Sequence, residues 1–177
     1  MAGAFRQDGL AMRLKLWSPL APLVLGVAAL VFGIDQLHKY WMLNVYGINE
    51  KASVSITFFF DLVMVWNKGV SYGLFTTHTQ EWLIALSLVI TGVLWIWACG
   101  SQRAFTAAAI ALVIGGALAN AFDRALRGAV ADFFHFHYQD FSWYVFNLAD
   151  VAIVAGVILL LYESLFMDEA RGRRGKA

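Results

Sequence analysis

The sequence predicts a mainly α-helical membrane protein, with four transmembrane helices and a small extracytoplasmic β-sheet between helices 1 and 2. Of its 177 residues, 60% are hydrophobic and only 14% are charged, whereas an average soluble domain has about 45–50% apolar and about 25% charged residues. Four apolar stretches can cross a bilayer, which takes about 20 residues each. A further segment alternates polar and apolar residues, as a strand with one wet face does. Lipid must therefore solvate much of the chain.

The apolar stretches set the boundaries that we expect for the spans. The first stretch could instead be a cleaved signal peptide, but its apolar run is long for one and no small-x-small cleavage site follows it. We therefore interpret it as a retained span. Gly115 and Gly116 in the third stretch predict close packing between helices. The predicted spans are approximately 19–41, 81–99, 104–123 and 144–166, with an outer β region at 42–80, all within one transmembrane domain of residues 1–177.

The distribution of Lys and Arg predicts the orientation, because cytoplasmic loops carry an excess of these residues. With the amino terminus inside, eight of the 13 cations fall on the inner side and five on the outer side. We therefore expect both termini in the cytoplasm. The inner cations are Arg6, Arg13, Lys15, Arg103, Arg171, Arg173, Arg174 and Lys176, and the outer cations are Lys39, Lys51, Lys68, Arg124 and Arg127.

The outer segment between the first two spans has the pattern of a small sheet. Residues 53–58 alternate strictly between polar and apolar side chains, which is typical of a half-buried strand. Residues 63–66 and 70–75 are rich in β-branched and aromatic residues, and Asn67-Lys68-Gly69 between them suits a turn. The sheet could be a platform for an extended substrate or simply a structured loop.

Three aspartates lie near the outer ends of spans, where ionisable residues are costly and are candidates for function. At about 1.5 Å per helical residue, Asp35, Asp123 and Asp150 each lie roughly 25–28 Å from the inner end of their span. They therefore sit at one level, near the outer edge of the hydrocarbon layer. Asp132 lies in the short outer loop between the third and fourth spans, so it cannot be far from them.

The pattern Asn-x-x-Asp occurs twice at this level. It is formed by Asn120 with Asp123 and by Asn147 with Asp150. Residues three apart share a helix face, so each Asn can donate a hydrogen bond towards its own Asp or towards something that this Asp binds. Because lone buried polar groups are costly, the two patterns predict one shared polar pocket.

The aspartates differ in their neighbours along the chain. Arg124 and Arg127 lie close to Asp123, which suits a structural ion pair because nearby cations keep a carboxylate ionised. Asp132 and Asp150 have apolar neighbours, and two close carboxyl groups in such a setting tend to share one proton. Such a pair can activate water and protonate an amide, which is hydrolysis without a metal or a covalent nucleophile. Taken singly, either acid could instead cap a helix or a turn.

The other polar groups suggest structural roles. Asp35 and Lys39 are one helical turn apart and predict an ion pair that stabilises the pocket. His135 and His137 suit neighbouring positions on one strand face, but no further ligand completes a tetrahedral zinc set in the sequence. Cys99 falls in an apolar run, where a thiol is usually a packing residue. We therefore expect no metal and no cofactor.

Five segments resemble, in order, the signatures of one family. They are residues 35–39 (DQLHK), 66–73 (WNKGVSYG), 115–124 (GGALANAFDR), 128–133 (GAVADF) and 146–150 (FNLAD). The chain is thereby similar to lipoprotein signal peptidase (signal peptidase II), a family of intramembrane aspartyl proteases. The resemblance implies a multi-pass protein of the bacterial inner membrane that acts on diacylglyceryl-modified prolipoproteins. We expect a monomer in contact with membrane lipids. The implied cut removes the signal peptide just before the lipidated cysteine.

The resemblance also implies roles for residues. Asp132 and Asp150 correspond to the catalytic pair, with Asp123 a weaker candidate. Asn67 and Arg124 are expected to hold the substrate backbone, and Asn120 and Asn147 are expected to line the pocket.

Two departures from the family pattern bear on the site. Val151 stands where Ser is usual and removes a possible hydroxyl partner, and Lys68 replaces the commoner Thr. Two other interpretations remain open: a non-catalytic membrane module that binds lipidated peptides, and a small transporter with a proton relay. The relay would need polar groups spread across the membrane, whereas these acids cluster at one face.

Overall fold

Four long helices form the body of the protein. The computed structural model describes residues 16–69 and 79–167, and within them four helices are long and apolar enough to cross a membrane. This confirms the four predicted spans. The helices are α1 (Ala21–Tyr40), α2 (Thr79–Gly100), α3 (Ala104–Arg127) and α4 (Leu148–Tyr162). Short π-helical segments continue α1 over Trp41–Val45 and α4 over Glu163–Met167.

The third helix lies at the centre, in contact with each of the other three. Two adjacent glycines allow the closest approaches. A methyl group at Gly115 would lie 2.7 Å from the carbonyl oxygen of Ala28 in α1, and one at Gly116 would clash with the carbonyl oxygen of Ala149 in α4. Both helix pairs therefore touch backbone to backbone, as small residues permit.

This contact predicts a stability effect. Gly116→Ala is expected to destabilise the protein by about 1–3 kcal/mol, because the added methyl group overpacks the contact between α3 and α4. Gly92→Ala in α2 is the matched control, since a methyl group there would meet nothing within 4 Å. Thermal unfolding of both variants in detergent measures the difference. An unchanged unfolding temperature for Gly116→Ala would contradict this contact.

A four-stranded antiparallel sheet covers one end of the bundle, which we call the sheet end. Its order is β1 (Val54–Thr57), β2 (Phe60–Asn67), β3 (Val130–Tyr138) and β4 (Phe141–Ser142). The first two strands lie between α1 and α2, as predicted. The other two come from the connection between α3 and α4, which we had expected to be a short loop. The strand expected at residues 70–75 lies outside the described residues.

The connection between α3 and α4 is held to the bundle from both sides. Ala131 and Phe133 of β3 pack with Met42 and Ile48, which follow α1. At its other end the connection is closed by a β-bridge between Phe134 and Phe146. This pairing explains why α4 begins at Leu148 and not near residue 144. At the other end of the connection, α3 ends at Arg127, four residues beyond the predicted boundary, because Gly128 with a φ of 71° ends the helix.

Candidate active site

Two aspartates from different elements meet at the sheet end of the bundle. Asp132 lies on β3 and is 1% exposed, and Asp150 lies in the first turn of α4 and is half-buried. The Phe134–Phe146 bridge brings the two elements together, and Asn147 hydrogen-bonds to both carboxyl groups. The strand and the helix that carry these two acids, which are 18 residues apart in the sequence, thus form one site.

Amide groups bind both carboxylate oxygens of Asp132. Asn67 Nδ2 donates to Oδ2 at 3.0 Å, and Asn147 Nδ2 donates to Oδ1 at 2.6 Å. In the register of β2 and β3, Val65 lies opposite Asp132 and Asn67 lies opposite Val130. Asn67 is therefore a diagonal neighbour on the same face of the sheet, within reach of Asp132. The sheet thus supplies one partner of Asp132 and the start of α4 supplies the other.

The start of α4 holds Asp150 in a reciprocal capping arrangement. The backbone N–H of Asn147 donates to Asp150 Oδ2 at 3.1 Å, and the backbone N–H of Asp150 donates to Asn147 Oδ1 at 3.0 Å. Asn120 Nδ2 of α3 donates to the other carboxylate oxygen, Oδ1, at 2.8 Å. These donors, together with the positive end of the helix dipole, stabilise a negative charge on Asp150.

The two Asn-x-x-Asp patterns contact one another across the helices. Asn120 donates to Asp150, and Asn147 donates to Asp132 and to the side-chain oxygen of Asn120, the latter at 3.2 Å. The side-chain amide of Asn120 thus turns away from Asp123, the acid of its own pattern. The shared polar pocket expected from the sequence is therefore present: Asn120 binds the acid of the other pattern, whereas Asn147 caps the acid of its own pattern.

A buried ion-pair network between α1 and α3 lies next to the pocket. Lys39 Nζ lies 2.8 Å from Asp35 Oδ2 and 2.7 Å from Asp123 Oδ2, and all three side chains are at most 1% exposed. Arg127 pairs with the second oxygen of Asp123. Lys39 also donates to Asn120 Oδ1 at 3.3 Å. The two cations Lys39 and Arg127 thus balance the carboxylates of Asp35 and Asp123. The network also orients Asn120, whose amide binds Asp150.

Asp35 and Gln36 connect this network to the neighbouring helices. Asp35 Oδ1 accepts from the backbone N–H of Ala149 at 2.9 Å, in the first turn of α4. Gln36 Nε2 donates to Asp35 and to Asp123, each at 3.1 Å. Sequence reasoning named Asp35 and Lys39 as structural but missed Gln36, because a neutral side chain carries no charge penalty that would draw attention to it.

Arg124 lies beside the pair with part of its hydrogen-bonding capacity unused. Its Nη1 donates to the backbone oxygen of Asn120 at 3.3 Å, while its Nε is buried and has no hydrogen-bond partner among the described residues. The carboxylates of Asp150 and Asp132 attract its charge. A cation with a free donor next to two carboxyl groups can bind a carbonyl oxygen of a bound peptide.

The surroundings of Asp132 disfavour its charged form. Burial raises the pKa of Asp132 to about 6, against an ordinary value of 3.8. The hydrogen bonds from Asn67 and Asn147 lower the pKa in part, and the nearby charge of Asp150 raises it again. Asp132 can therefore hold a proton at pH values at which most aspartates have lost theirs.

The histidines considered as metal ligands lie elsewhere on the sheet. His135 and His137 share a face of β3, and His137 Nε2 lies 3.1 Å from Asp61 Oδ2 on β2. In the part of the chain that the structure describes, no group of three or more His, Cys, Asp or Glu side chains is placed to hold a metal ion.

Comparisons with known proteins agree in family and fold. The family model for signal peptidase (SPase) II matches residues 27–166. A lipoprotein signal peptidase from Methylocella silvestris is 49% identical over 89% of this chain and 95% of its own length, and one from Nitrobacter hamburgensis is 45% identical over 85% and 98%. Two solved structures of bacterial membrane enzymes, obtained by the in meso method, have TM-scores of 0.69 and 0.71 at 25% and 26% identity. The matches cover 85% and 82% of this chain and 91% and 94% of theirs.

Proposed function

The chain belongs to the signal peptidase II family, and we propose that it cleaves diacylglyceryl-modified prolipoproteins just before the lipidated cysteine, using Asp132 and Asp150 as an acid–base pair. The family makes it a multi-pass protease of the bacterial inner membrane that removes signal peptides from prolipoproteins. The observation that carries the proposed mechanism is the meeting of two carboxyl groups in one amide-lined pocket.

The two carboxyl groups would divide the work according to their surroundings. Asp150 is nearer to water and is stabilised as an anion by the start of α4, so it takes a proton from a water molecule whose oxygen attacks the scissile carbonyl carbon. Asp132 is buried and gives its proton to the carbonyl oxygen. When the C–N bond breaks, Asp150 passes its proton to the leaving amine, and the hydroxyl proton returns to Asp132.

The surrounding residues would hold the substrate and the pair in place. Asn67 and Arg124 lie at the edge of the pocket and can bind the peptide backbone, while Asn120 and Asn147 fix the carboxylates. Asp35, Lys39 and Asp123 act as structural support. The sheet then serves as a platform over an extended segment of the substrate, and the protein acts as a monomer in contact with membrane lipids and without a cofactor.

The charges support an orientation with both termini in the cytoplasm and the pocket near the outer face. Eight of the 13 Lys and Arg residues fall on the inner side of this arrangement and five on the outer side. An excess of these residues on the cytoplasmic side is what the positive-inside rule expects.

Purified protein in detergent tests the proposed function. It is expected to cleave a diacylglyceryl-modified prolipoprotein, giving a mature chain whose mass begins at the lipidated cysteine, and to leave the unmodified precursor intact. Binding of the modified precursor without cleavage would favour the alternative of a non-catalytic module that binds lipidated peptides. Cleavage at another position would contradict the proposed site of the cut.

The pH dependence of cleavage follows from the raised pKa of Asp132. Because the protonated form of Asp132 is the proposed acid, kcat/KM should fall as the pH rises through about 6, by about tenfold per pH unit well above it. Initial rates at low substrate concentration across about pH 5–8 measure this profile. A profile that stays flat over this range would contradict the role of Asp132 as the proton donor.

A further inference from the structure

A cleft lies at the end of the bundle opposite the sheet. It has a volume of about 920 Å³ and opens between α2 and α4, over the start of α3. Its apolar walls are formed by Trp97 of α2 and by Leu160 and Leu161 of α4. Its polar floor is formed by Thr106 and Glu163. The mechanism proposed above uses none of these residues.

The cleft lies at the level where lipid headgroups begin. The spans of the two helices that border it end at Gly100 and Phe166. Trp97 is exposed at this level, and the rings of Trp17 and Trp95 pack against each other at the same end of the bundle. Tryptophan is enriched at the boundary between the hydrocarbon layer and the headgroups. The apolar walls therefore continue the lipid-facing surfaces of α2 and α4, while the polar floor lies at the depth of the headgroups.

The floor of the cleft holds a buried carboxylate with unused capacity to accept hydrogen bonds. Glu163 is 5% exposed, and its carboxylate contacts the Thr106 hydroxyl at 2.7 and 2.8 Å and Arg103 Nη1 at 3.0 Å. An ionised carboxylate can accept about four hydrogen bonds, and a hydroxyl group has only one hydrogen to donate. Among the described residues, Thr106 and Arg103 are the donors to this carboxylate. The carboxylate can therefore accept further donors from a molecule in the cleft.

We propose that this cleft binds a phospholipid whose headgroup carries a primary ammonium group and a phosphate, as phosphatidylethanolamine does. The ammonium group donates to Glu163, the phosphate accepts from the guanidinium group of Arg103, and an acyl chain lies against Trp97 and Leu161. The Arg103–Glu163 pair and this headgroup each carry one positive and one negative charge, so the charges are complementary without an excess. A choline headgroup lacks the N–H groups that would donate to the carboxylate. Because α2 and α4 each pack against α3, a lipid in the cleft would also link their ends.

Headgroup preference tests this inference. Delipidated protein in detergent is titrated with phosphatidylethanolamine, phosphatidylcholine or phosphatidylglycerol of identical acyl chains, and the bound lipid is measured by native mass spectrometry. The wild type should bind one phosphatidylethanolamine about tenfold more tightly than phosphatidylcholine, the ratio expected from one hydrogen bond to a charged group. Glu163→Gln should abolish this preference. Glu50→Gln is the matched control and should retain it, since Glu50 is exposed and lies outside the cleft lining.

A second pair of variants keeps the test decisive if Glu163→Gln does not fold. Leu161→Trp, at a wall residue that is 56% exposed, should weaken phosphatidylethanolamine binding about tenfold by filling the cleft. Ile158→Trp should not, since Ile158 is 57% exposed on the same helix and lies outside the lining. Equal affinities of the wild type for the three lipids, tighter binding of phosphatidylglycerol, or equal binding by the two tryptophan variants would each overturn the assignment. These readouts are independent of cleavage, so a failure of the proposed function would not alter them.

Discussion

Replacing either Asp132 or Asp150 by Asn is expected to lower the cleavage rate by at least about 10²–10⁴-fold, the range attributed to general acid–base catalysis. The amide keeps the shape of the carboxyl group but can neither accept the proton of water nor donate one as an acid. Because both groups act on the same reaction, each single substitution should be sufficient. Single-turnover cleavage of a modified prolipoprotein measures the rates.

Stability measurements separate lost chemistry from lost folding in these variants. The pKa of Asp132 is raised above its unfolded value, so its contribution to stability is present at low pH and is lost as the pH rises through about 6. At about pH 8 the Asp132→Asn variant should therefore unfold at a higher temperature than the wild type. Asp61→Asn on β2 is the control that should retain cleavage. Full activity of Asp132→Asn would reject the pair and favour Asp123.

The largest loss of stability is expected from Lys39→Met, at about 3–5 kcal/mol. Lys39 is 0% exposed and lies between two buried carboxylates, Asp35 and Asp123. Methionine fills a similar volume but leaves both carboxylates without this partner. Cleavage should fall as well, because Asp35 holds the start of α4 through the Ala149 N–H. Thermal unfolding in detergent and the yield of folded protein measure the effect.

Two further variants test the physical reason for this loss. Lys51→Met replaces an exposed lysine that donates to the backbone oxygen of Tyr46, and its cost should be below about 1 kcal/mol. Combining Lys39→Met with Asp123→Asn should recover part of the stability, because one unpaired carboxylate is removed. A Lys39→Met protein that unfolds at the wild-type temperature would show that the network does not stabilise the fold.

The helices could be predicted from the sequence more accurately than the connection between α3 and α4. A span is defined by local apolar length, which the sequence contains directly. Residues 144–146 are also apolar and therefore extend the predicted fourth span, yet Phe146 pairs with Phe134 in the sheet. Pairing between separate segments depends on tertiary packing, which local patterns do not encode.

The aspartates of the candidate site could be predicted from the sequence, but the side chains that hydrogen-bond to them could not. Charged groups in apolar stretches are costly enough to identify Asp35, Asp123 and Asp150. The side chain that Asn120 meets depends on the rotation of α3 against α4, which is fixed by the close contact at Gly116. The sequence alone therefore could not assign Asn120 to Asp150.

The departures from the family pattern have little contact with the pocket. Val151 follows Asp150 in α4, and its side chain is 46% exposed. Lys68 is exposed, and its backbone oxygen accepts a hydrogen bond from Gln80 at 2.6 Å. Neither Val151 nor Lys68 hydrogen-bonds to Asp132 or Asp150 in the part of the chain described, and all the hydrogen-bond donors to these acids come from other residues. Both departures are therefore compatible with the proposed chemistry.

The measurement that tests the central claim most directly is proton uptake on binding a non-cleavable substrate analogue with a hydroxyl group at the scissile position. Calorimetric titrations at about pH 8, in buffers of different ionisation enthalpy, measure this uptake. The wild type should take up about one proton, because pH 8 is well above the pKa of about 6 of Asp132 in the free protein, whereas the bound hydroxyl group requires one protonated carboxyl group in the pair. The Asp132→Asn and Asp150→Asn variants should take up none. Tight binding by the wild type without proton uptake would contradict a carboxyl pair that shares one proton.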